Sequence, residues 1–137
     1  MISPAKPRIL TTTVGSYPVP DWLSALPSEQ AVIDATRVIF DTQRQAGIDL
    51  PTDGELYRFD INHPDTNGMI EYFVAPMGGC DTSIGRKDAE AFRSMHSMGF
   101  RAKPAAVVRE ALHGGGLNLI EDCQRAARVA GGPFKFT

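Results

Sequence analysis

The sequence has little cysteine and no apolar run at its start. Its two cysteines, Cys80 and Cys123, lie far apart in a chain without secretory features. We therefore expect reduced thiols rather than a disulfide. Residues 1–8 contain no continuous apolar stretch. For this reason we expect neither a signal peptide nor a membrane span, and we expect a cytoplasmic location.

The sequence also lacks an excess of charge of one sign. It has 14 basic and 16 acidic residues, mixed along the chain, with a net charge of -2. No basic stripe is present to attract nucleic acid, and no acidic tail is present to attract a basic partner. Hydrophobic residues make up 42% and charged residues 22%, which is typical of soluble globular proteins. We expect neither nucleic acid nor a membrane as a partner.

Common catalytic and metal-binding motifs are absent as well. The chain has no GxSxG, P-loop or GxGxxG motif, and the run Gly114–Gly116 lacks the lysine and the spacing of a phosphate loop. His63, His96 and His113 lie in separate segments, with no cysteine nearby at metal-ligand spacing. Only His63 and Asp65 stand close enough for a two-ligand element. The residues by themselves therefore predict no metal site.

The first part of the chain predicts a β-strand, a helix and a second β-strand. Residues 8–14 are mostly β-branched or apolar, and residues 49–52 form a shorter segment of the same kind. Between them, the pattern predicts a helix over residues 28–46, with Ser28 as its N-cap and Gly47 as its stop. A βαβ unit of this kind is nearly always parallel and right-handed.

The helix over residues 28–46 has a charged face and an apolar face. Charges of alternating sign recur every three or four residues at Asp34, Arg37, Asp41 and Arg44. On another side, the expected packing stripe consists of Val32, Ala35, Val38, Ile39 and Ala46.

The rest of the chain continues the alternation of helices and strands. Residues 67–75 predict a helical or mixed segment, followed over residues 76–99 by an excursion with glycine turns. Residues 100–108 predict an edge or hairpin strand, because Pro104 interrupts them. A second helix is predicted over residues 118–130, and its expected apolar face consists of Ile120, Cys123, Ala127 and Ala130. A last strand is predicted over residues 134–137. The fold class is therefore α/β.

Polar groups follow each of the first two predicted strands. At the first junction, Val14, Gly15 and Ser16 offer close backbone approach, an amide and a hydroxyl to a small amino-acid ligand, or they form a simple turn. At the second junction, Glu55 either pairs with a substrate ammonium or is a solvated loop acid. Asp53 could cap the turn that follows it. The carboxyl ends of strands are where α/β folds place their ligands.

A pair of cations marks the predicted edge strand. Arg101 and Lys103 flank Ala102 just before Pro104. They either contact an anionic ligand tail or serve as exposed edge charges that discourage aggregation.

Five segments, in order along nearly the whole chain, resemble the catalytic core of the cobalamin-independent methionine synthase family, including its short single-domain relatives. The matching segments are Thr11-Thr-Thr-Val-Gly-Ser-Tyr-Pro18, Asp53-Gly-Glu55-Leu-Tyr-Arg58, Asn67-Gly-Met-Ile-Glu-Tyr-Phe73, Arg101-Ala-Lys-Pro104 and Phe134-Lys-Phe-Thr137. The resemblance implies a (β/α)8 TIM barrel that binds zinc. It also implies methyl transfer from a methyltetrahydrofolate-type donor to the thiol of homocysteine, which is the synthesis of methionine.

The resemblance also implies roles for individual residues. Val14, Gly15 and Ser16 resemble the segment that holds the amino-acid part of homocysteine, and Glu55 resembles the glutamate that binds its ammonium group. Arg101 and Ala102 resemble the segment beside the folate. The zinc ligands and the general acid of the family lie on later strands, so this chain is expected to supply no catalytic residue, no metal ligand and no cofactor of its own.

A complete barrel of this kind usually needs about 250 residues. The chain of 137 residues is therefore expected to be the N-terminal part of a methionine-synthase-like barrel, spanning residues 1–137 as one portion. Its expected partners are a homocysteine-like thiol and either a polypeptide with the C-terminal half or a second copy of the chain. The alternatives are a non-catalytic binding module and another reaction of the same superfamily, such as corrinoid-linked methyl transfer.

Overall fold

The computed structural model describes residues 9–62, 68–95 and 103–137. These residues form two compact units. The first unit comprises the described residues of Met1–Tyr57 together with Ile120–Thr137, and the second comprises those of Arg58–Leu119. Helices and short β-segments occur in both, so the predicted α/β class is confirmed.

Five helices and two strands are present in the described residues, together with one 3-10 turn. In chain order they are α1 (Asp21–Ala25), α2 (Glu29–Gln45), the 3-10 turn (Leu56–Arg58), α3 (Gly68–Val74), β1 (Gly78–Asp81), α4 (Arg86–Met95), β2 (Val107–His113) and α5 (Leu119–Ala130).

Helix α2 forms where the sequence predicts it, because Ser28 caps its start and Gly47 ends it. The Ser28 hydroxyl accepts a hydrogen bond from the Ala31 amide at 3.1 Å, which satisfies one of the free donors of the first turn. Gly47, just beyond the C-cap, has a φ of 82°, a left-handed conformation that suits glycine at a helix end. Asp34 and Arg37 pair at 3.3 Å on the solvent side, where such pairs stabilise little.

The predicted packing stripe of α2 is wrong at two positions. Val38 is 51% exposed and Ala46 is also exposed. The buried face consists of Val32, Ala35, Thr36, Ile39, Phe40 and Gln43. Two of these are polar, and both have hydrogen-bond partners: the Thr36 hydroxyl donates to the Val32 carbonyl at 2.8 Å, for example. A stripe chosen by hydrophobicity misses polar side chains that packing buries with their partners.

Three segments pair in parallel in the first unit, at the three places where strands are predicted. Thr12 bridges Leu50, and Thr52 bridges Lys135, both in parallel orientation. Backbone amides of Leu50 and Lys135 donate to the carbonyls of Thr11 and Pro51, each at 2.9 Å. Each contact is an isolated bridge rather than a continuous ladder, so side chains also contribute to holding the segments together.

The core of the first unit lies between α2, α5 and the last segment. Phe40, Ala126 and Ala130 are its buried members, and the Phe134 ring meets the Phe40 ring edge-on with centroids 5.3 Å apart. The predicted apolar face of α5 is largely wrong: only Ala130 of that set is buried, and Ile120 is 73% exposed. The helix instead packs through Ala126 and Ala130, with Val129 partly buried against the same cluster.

The second unit contains an antiparallel pair of strands. β1 and β2 pair with Cys80 opposite Val108, and the register shifts between Gly78 and Cys80. The strand predicted over residues 100–108 begins outside the described residues, and the observed strand β2 starts only after Pro104, which cannot donate to a ladder. Cys80 and Cys123 are both free thiols.

Candidate substrate-binding site

The two predicted junctions meet in the first unit, although 39 residues separate them in the sequence. The Ser16 hydroxyl donates a hydrogen bond to the Glu55 carboxylate oxygen Oε2. One residue along, the Tyr17 amide donates to the Gly54 carbonyl at 2.9 Å. The structure therefore brings together two of the four residues assigned to the amino-acid site, through both a side-chain and a backbone contact.

The pair is open to solvent on the side of the first junction. Val14 is 87% exposed, Gly15 and Ser16 are exposed, and Glu55 is half-buried. A small solute can therefore approach the exposed Ser16, whose hydroxyl contacts the Glu55 carboxylate. Sheltering of Glu55 strengthens any charge-assisted hydrogen bond that it accepts.

The backbone at both junctions adopts conformations that ordinary residues avoid. Gly15 has a φ of 97°, and no atom lies within 4 Å of the place where a Cβ would stand, so conformation rather than space requires glycine. Glu55 has a φ of 60° although it is not glycine. Such a conformation costs of order 1–3 kcal/mol and clusters at ligand-binding sites, where the surrounding structure imposes it.

Gly54 fixes the approach of the second junction to the first. A Cβ at this position would stand 3.0 Å from side-chain atoms of Ile39 and Tyr17. Because no side chain is present, the turn packs directly on α2 and on the first junction, and the Tyr17–Gly54 hydrogen bond can form.

Asp53 lies beside this pair but is directed into the protein interior. It is 1% exposed, and its oxygen Oδ1 accepts hydrogen bonds from the Thr137 amide at 3.1 Å and the Thr137 hydroxyl at 3.0 Å. The other oxygen, Oδ2, is buried without a hydrogen-bond partner among the described residues. Burial raises the pKa of the Asp53 carboxyl, and the hydrogen bonds from Thr137 oppose this shift.

Gln43 of α2, which the sequence pattern does not single out, is hydrogen-bonded to the segments that lead into both junctions. Its side chain is 4% exposed and forms hydrogen bonds to residues of both bridged segments. The sequence does contain one signal: Gln43 stands four residues after Ile39, at the spacing of the apolar face of α2. A polar side chain on such a face is buried only when it has hydrogen-bond partners.

Three methionine synthases are similar to this chain over about half its length. The protein from Thermococcus kodakarensis is 36% identical over 85 residues, that from Pyrococcus horikoshii 34%, also over 85 residues, and that from Saccharolobus solfataricus 33% over the same length. The aligned part is 53% of this chain and 23% of each relative.

The resemblance to methionine synthases is confirmed.

The chain spans about a quarter of the length of these methionine synthases. No family model matches the sequence, and no solved structure matches the chain. The likeness therefore rests on the methionine synthases themselves.

Arg101 and Ala102, expected to lie beside the donor of a methionine synthase, lie outside the described residues. Lys103 follows them and lines a cavity of about 130 Å³ in the second unit, together with Asp60 and Glu71. The cavity has a mixed lining, since Ile84 and Pro104 contribute apolar surface to it.

The resemblance implies zinc for a complete barrel, with ligands on strands later than those described here. Among the described residues, no group of three or more His, Cys, Asp or Glu side chains could hold a metal ion. Of the three histidines, His63 and His96 lie outside the described residues, and His113 is exposed. Within the same residues, no helix is both long enough and apolar enough to cross a membrane.

Proposed function

We propose that this chain is the amino-acid-holding part of a methyltransferase of the methionine synthase type. The observation that carries the proposal is the contact between Ser16 and Glu55, which joins two junctions that are far apart in the sequence. The names of the similar proteins support methionine synthesis as the reaction. Val14, Gly15, Ser16 and Glu55 would form the site for the substrate.

The proposed substrate is homocysteine, an amino acid with a thiol. Glu55 would accept hydrogen bonds from its ammonium group, and the Gly15 and Ser16 backbone would approach its carboxylate. In the free protein the Ser16 hydroxyl donates to Glu55. When an ammonium group takes this place, the hydroxyl is released and can donate to the substrate carboxylate instead.

The proposed reaction moves a methyl group from a methyltetrahydrofolate-type donor to the homocysteine thiol. A sulfur–carbon bond forms while the donor's nitrogen–carbon bond breaks, the thiol loses its proton, and the donor nitrogen gains one. A thiol is a weak nucleophile at neutral pH, and the leaving nitrogen needs a positioned acid. The groups described in this chain orient the substrate, and activation of the thiol would come from another part of the enzyme.

The proposed architecture is the first part of a (β/α)8 barrel, with residues 1–137 as one portion of it. Parallel pairing in the order of the sequence, from Thr12 to Leu50 and from Thr52 to Lys135, supports it, because neighbouring strands of such a barrel pair in this way. Arg101 and Ala102 would contact the donor. The remaining strands would belong to the C-terminal half of the domain.

Calorimetric titration of the chain with L-homocysteine tests the proposed site. Glu55→Gln is expected to weaken binding about ten-fold or more, because loss of a hydrogen bond to a charged group costs roughly 1.5–3 kcal/mol. Ser16→Ala is expected to weaken it less, since the backbone contacts remain. The matched control is Glu110→Gln, which changes an exposed glutamate in the second unit.

A homocysteine analogue without its amino group separates the proposed contact from general binding. It is expected to bind wild type and Glu55→Gln equally weakly, because it has no ammonium group for Glu55. Equal homocysteine affinity for wild type and both site variants would contradict the proposal.

Methionine formation is then tested by adding a chain with the C-terminal half of a methionine synthase, zinc and a methyl donor. If the two chains form a complex that produces no methionine with any donor, methyl transfer is contradicted and a non-catalytic binding module is the remaining interpretation.

A further inference from the structure

Gln43 forms hydrogen bonds to both bridged segments of the first unit. Its oxygen Oε1 accepts from the Thr52 amide at 2.9 Å and from the Thr13 hydroxyl at 2.7 Å. Its nitrogen Nε2 donates to the Thr52 carbonyl at 2.8 Å and lies 3.3 Å from the Ile39 carbonyl, one turn back in α2. The carboxamide therefore satisfies both backbone groups of one segment and a side chain of the other.

The two threonines that Gln43 contacts lie close in the sequence to Ser16 and Glu55. Thr13 precedes Ser16 by three residues, and Thr52 precedes Glu55 by three. Between the Leu50–Thr11 and Tyr17–Gly54 backbone hydrogen bonds, side chains span the gap between the described segments. Gln43 is one of them, and the contact between the Thr13 and Thr52 hydroxyls at 3.1 Å is another.

We propose that Gln43 is a positioning residue for the Ser16–Glu55 pair. Its carboxamide connects the two segments by hydrogen bonds to Thr13 and Thr52. It thereby sets the separation at which Ser16 and Glu55 meet. The inference rests on the proposed function, because it assigns a role to the pair as a ligand site. Gln43 itself is buried behind the pair and would act through Thr13 and Thr52.

The chemistry of the contacts explains why a carboxamide is needed. The backbone of Thr52 presents an N–H donor and a C=O acceptor to the same side chain, and the glutamine carboxamide can hydrogen-bond to both at once. An ionised glutamate in this place could not donate to the Thr52 carbonyl, and methionine could satisfy neither group. Each substitution leaves a buried backbone group unpaired, and the structure can relieve this only by moving the segment that carries it.

Three variants of the 137-residue chain distinguish positioning from general stability. Gln43→Met removes all of the carboxamide contacts, and Gln43→Glu removes the donor alone. Gln45→Met makes the same change as the first at an exposed position two residues further along α2. Amide NMR spectra without ligand are expected to show shifted Ser16, Gly54 and Glu55 signals in both Gln43 variants and unchanged signals in the Gln45 variant.

Homocysteine affinity provides the functional readout. At a temperature well below each melting point, Gln43→Met is expected to weaken binding roughly ten-fold, while Gln45→Met leaves it unchanged. In a double-mutant cycle with Ser16→Ala, the two effects are expected to be non-additive, because both act on one contact. Additive effects, or a lower melting temperature with affinity within two-fold of wild type (roughly 0.4 kcal/mol), would overturn the inference.

The role of Gln43 can still be tested if Gln43→Met does not fold or if wild type does not bind homocysteine. If Gln43→Met does not fold, Thr13→Val removes only the hydroxyl contacts, and it is expected to shift the same amide signals less strongly. Unchanged signals in this variant would then overturn the inference. If wild type does not bind homocysteine, the proposed function fails, whereas the spectra without ligand still decide whether Gln43 positions Ser16 and Glu55.

Discussion

Two residues of the first unit carry a structural cost next to the proposed site. Asp53 places a carboxyl in the interior with one oxygen unpartnered among the described residues. Glu55, two residues later, holds a left-handed backbone conformation with a side chain that disfavours it. Neither feature stabilises the fold locally, and both lie at the end of the segment that carries the candidate site. Each makes a prediction about stability that can be measured independently of activity.

The raised pKa of Asp53 predicts a specific dependence of stability on pH. In the unfolded chain the carboxyl loses its proton near its ordinary pKa of 3.8, whereas the folded protein retains it to higher pH. The folded state then binds more protons, so the free energy of unfolding decreases as pH rises through this window. Asp53→Asn, which carries no titrating proton, is expected to gain stability relative to wild type as pH rises from below 4.

Urea unfolding of both proteins at a series of pH values measures this difference. Asp41→Asn serves as the control for removing one negative charge, because the Asp41 side chain is 59% exposed. A stability difference between wild type and Asp53→Asn that does not vary with pH, once this control is subtracted, would be inconsistent with the buried carboxyl.

The backbone of Glu55 predicts that stability and binding change in opposite directions. Glu55→Gly is expected to increase the free energy of unfolding by about 1 kcal/mol, because glycine adopts a positive φ without steric cost. The same variant should lose homocysteine binding about ten-fold or more, as Glu55→Gln does. Urea unfolding and calorimetry check the two results, with Glu55→Gln as the variant that keeps the strained backbone. A destabilised Glu55→Gly variant would argue against strain at this position.

At the scale of elements, helix α2 organises the first unit. Its start is fixed by Ser28, its buried face packs on Phe134 and α5, and Gln43 near its end reaches both bridged segments. The bridged segments themselves contribute little pairing, since each contact is an isolated bridge. The candidate site is therefore supported by a well-formed helix and by isolated bridges rather than by a regular sheet.

The N-cap of α2 is expected to contribute measurably to stability. Ser28→Ala should lower the free energy of unfolding by about 1 kcal/mol, because the Ala31 amide loses its side-chain acceptor. Ser28→Gly should cost only a few tenths of a kcal/mol, since glycine lets water reach the helix end. Urea unfolding of the two variants tests this order. A reversed order would show that Ser28 stabilises the helix through something other than capping.

At the scale of the whole molecule, the proposed substrate contact stands in a chain whose described residues include no group that could hold a metal ion. The Ser16–Glu55 contact lies in the first unit, and no group of metal-binding side chains is found in residues 9–62, 68–95 and 103–137. The methionine synthases it resembles are about four times as long as the aligned stretch. Holding the amino acid and activating its thiol would accordingly be tasks of different parts of a complete enzyme.

This division predicts that homocysteine binding to the chain does not depend on zinc. The affinity measured by calorimetry should be the same with added zinc and with a chelator, because the proposed contacts involve the amino-acid end of the substrate rather than its thiol. Homoserine, which has a hydroxyl in place of the thiol, is the matched ligand control and should bind similarly. A ten-fold gain in homocysteine affinity on adding zinc would contradict the prediction.

The sequence by itself determined the features that depend on neighbouring residues. The helix over 29–45 follows from the Ser28 cap, the charge spacing and Gly47, and the parallel order of three segments follows from their alternation with helices. Gly15 was also predictable as a special position. Cap, turn and helix signals act within about four residues, so they can be read without knowing the fold.

Only the tertiary structure decided which of these parts come together at the candidate site. It placed Ser16 against Glu55, buried Asp53 against Thr137, and turned Gln43 toward both bridged segments. It also exposed Val38 and Ile120, which hydrophobicity assigned to the core. The physical reason is that a buried polar group is stable only with a partner. For Gln43 and Asp53, partners of this kind lie nine to 84 residues away along the chain.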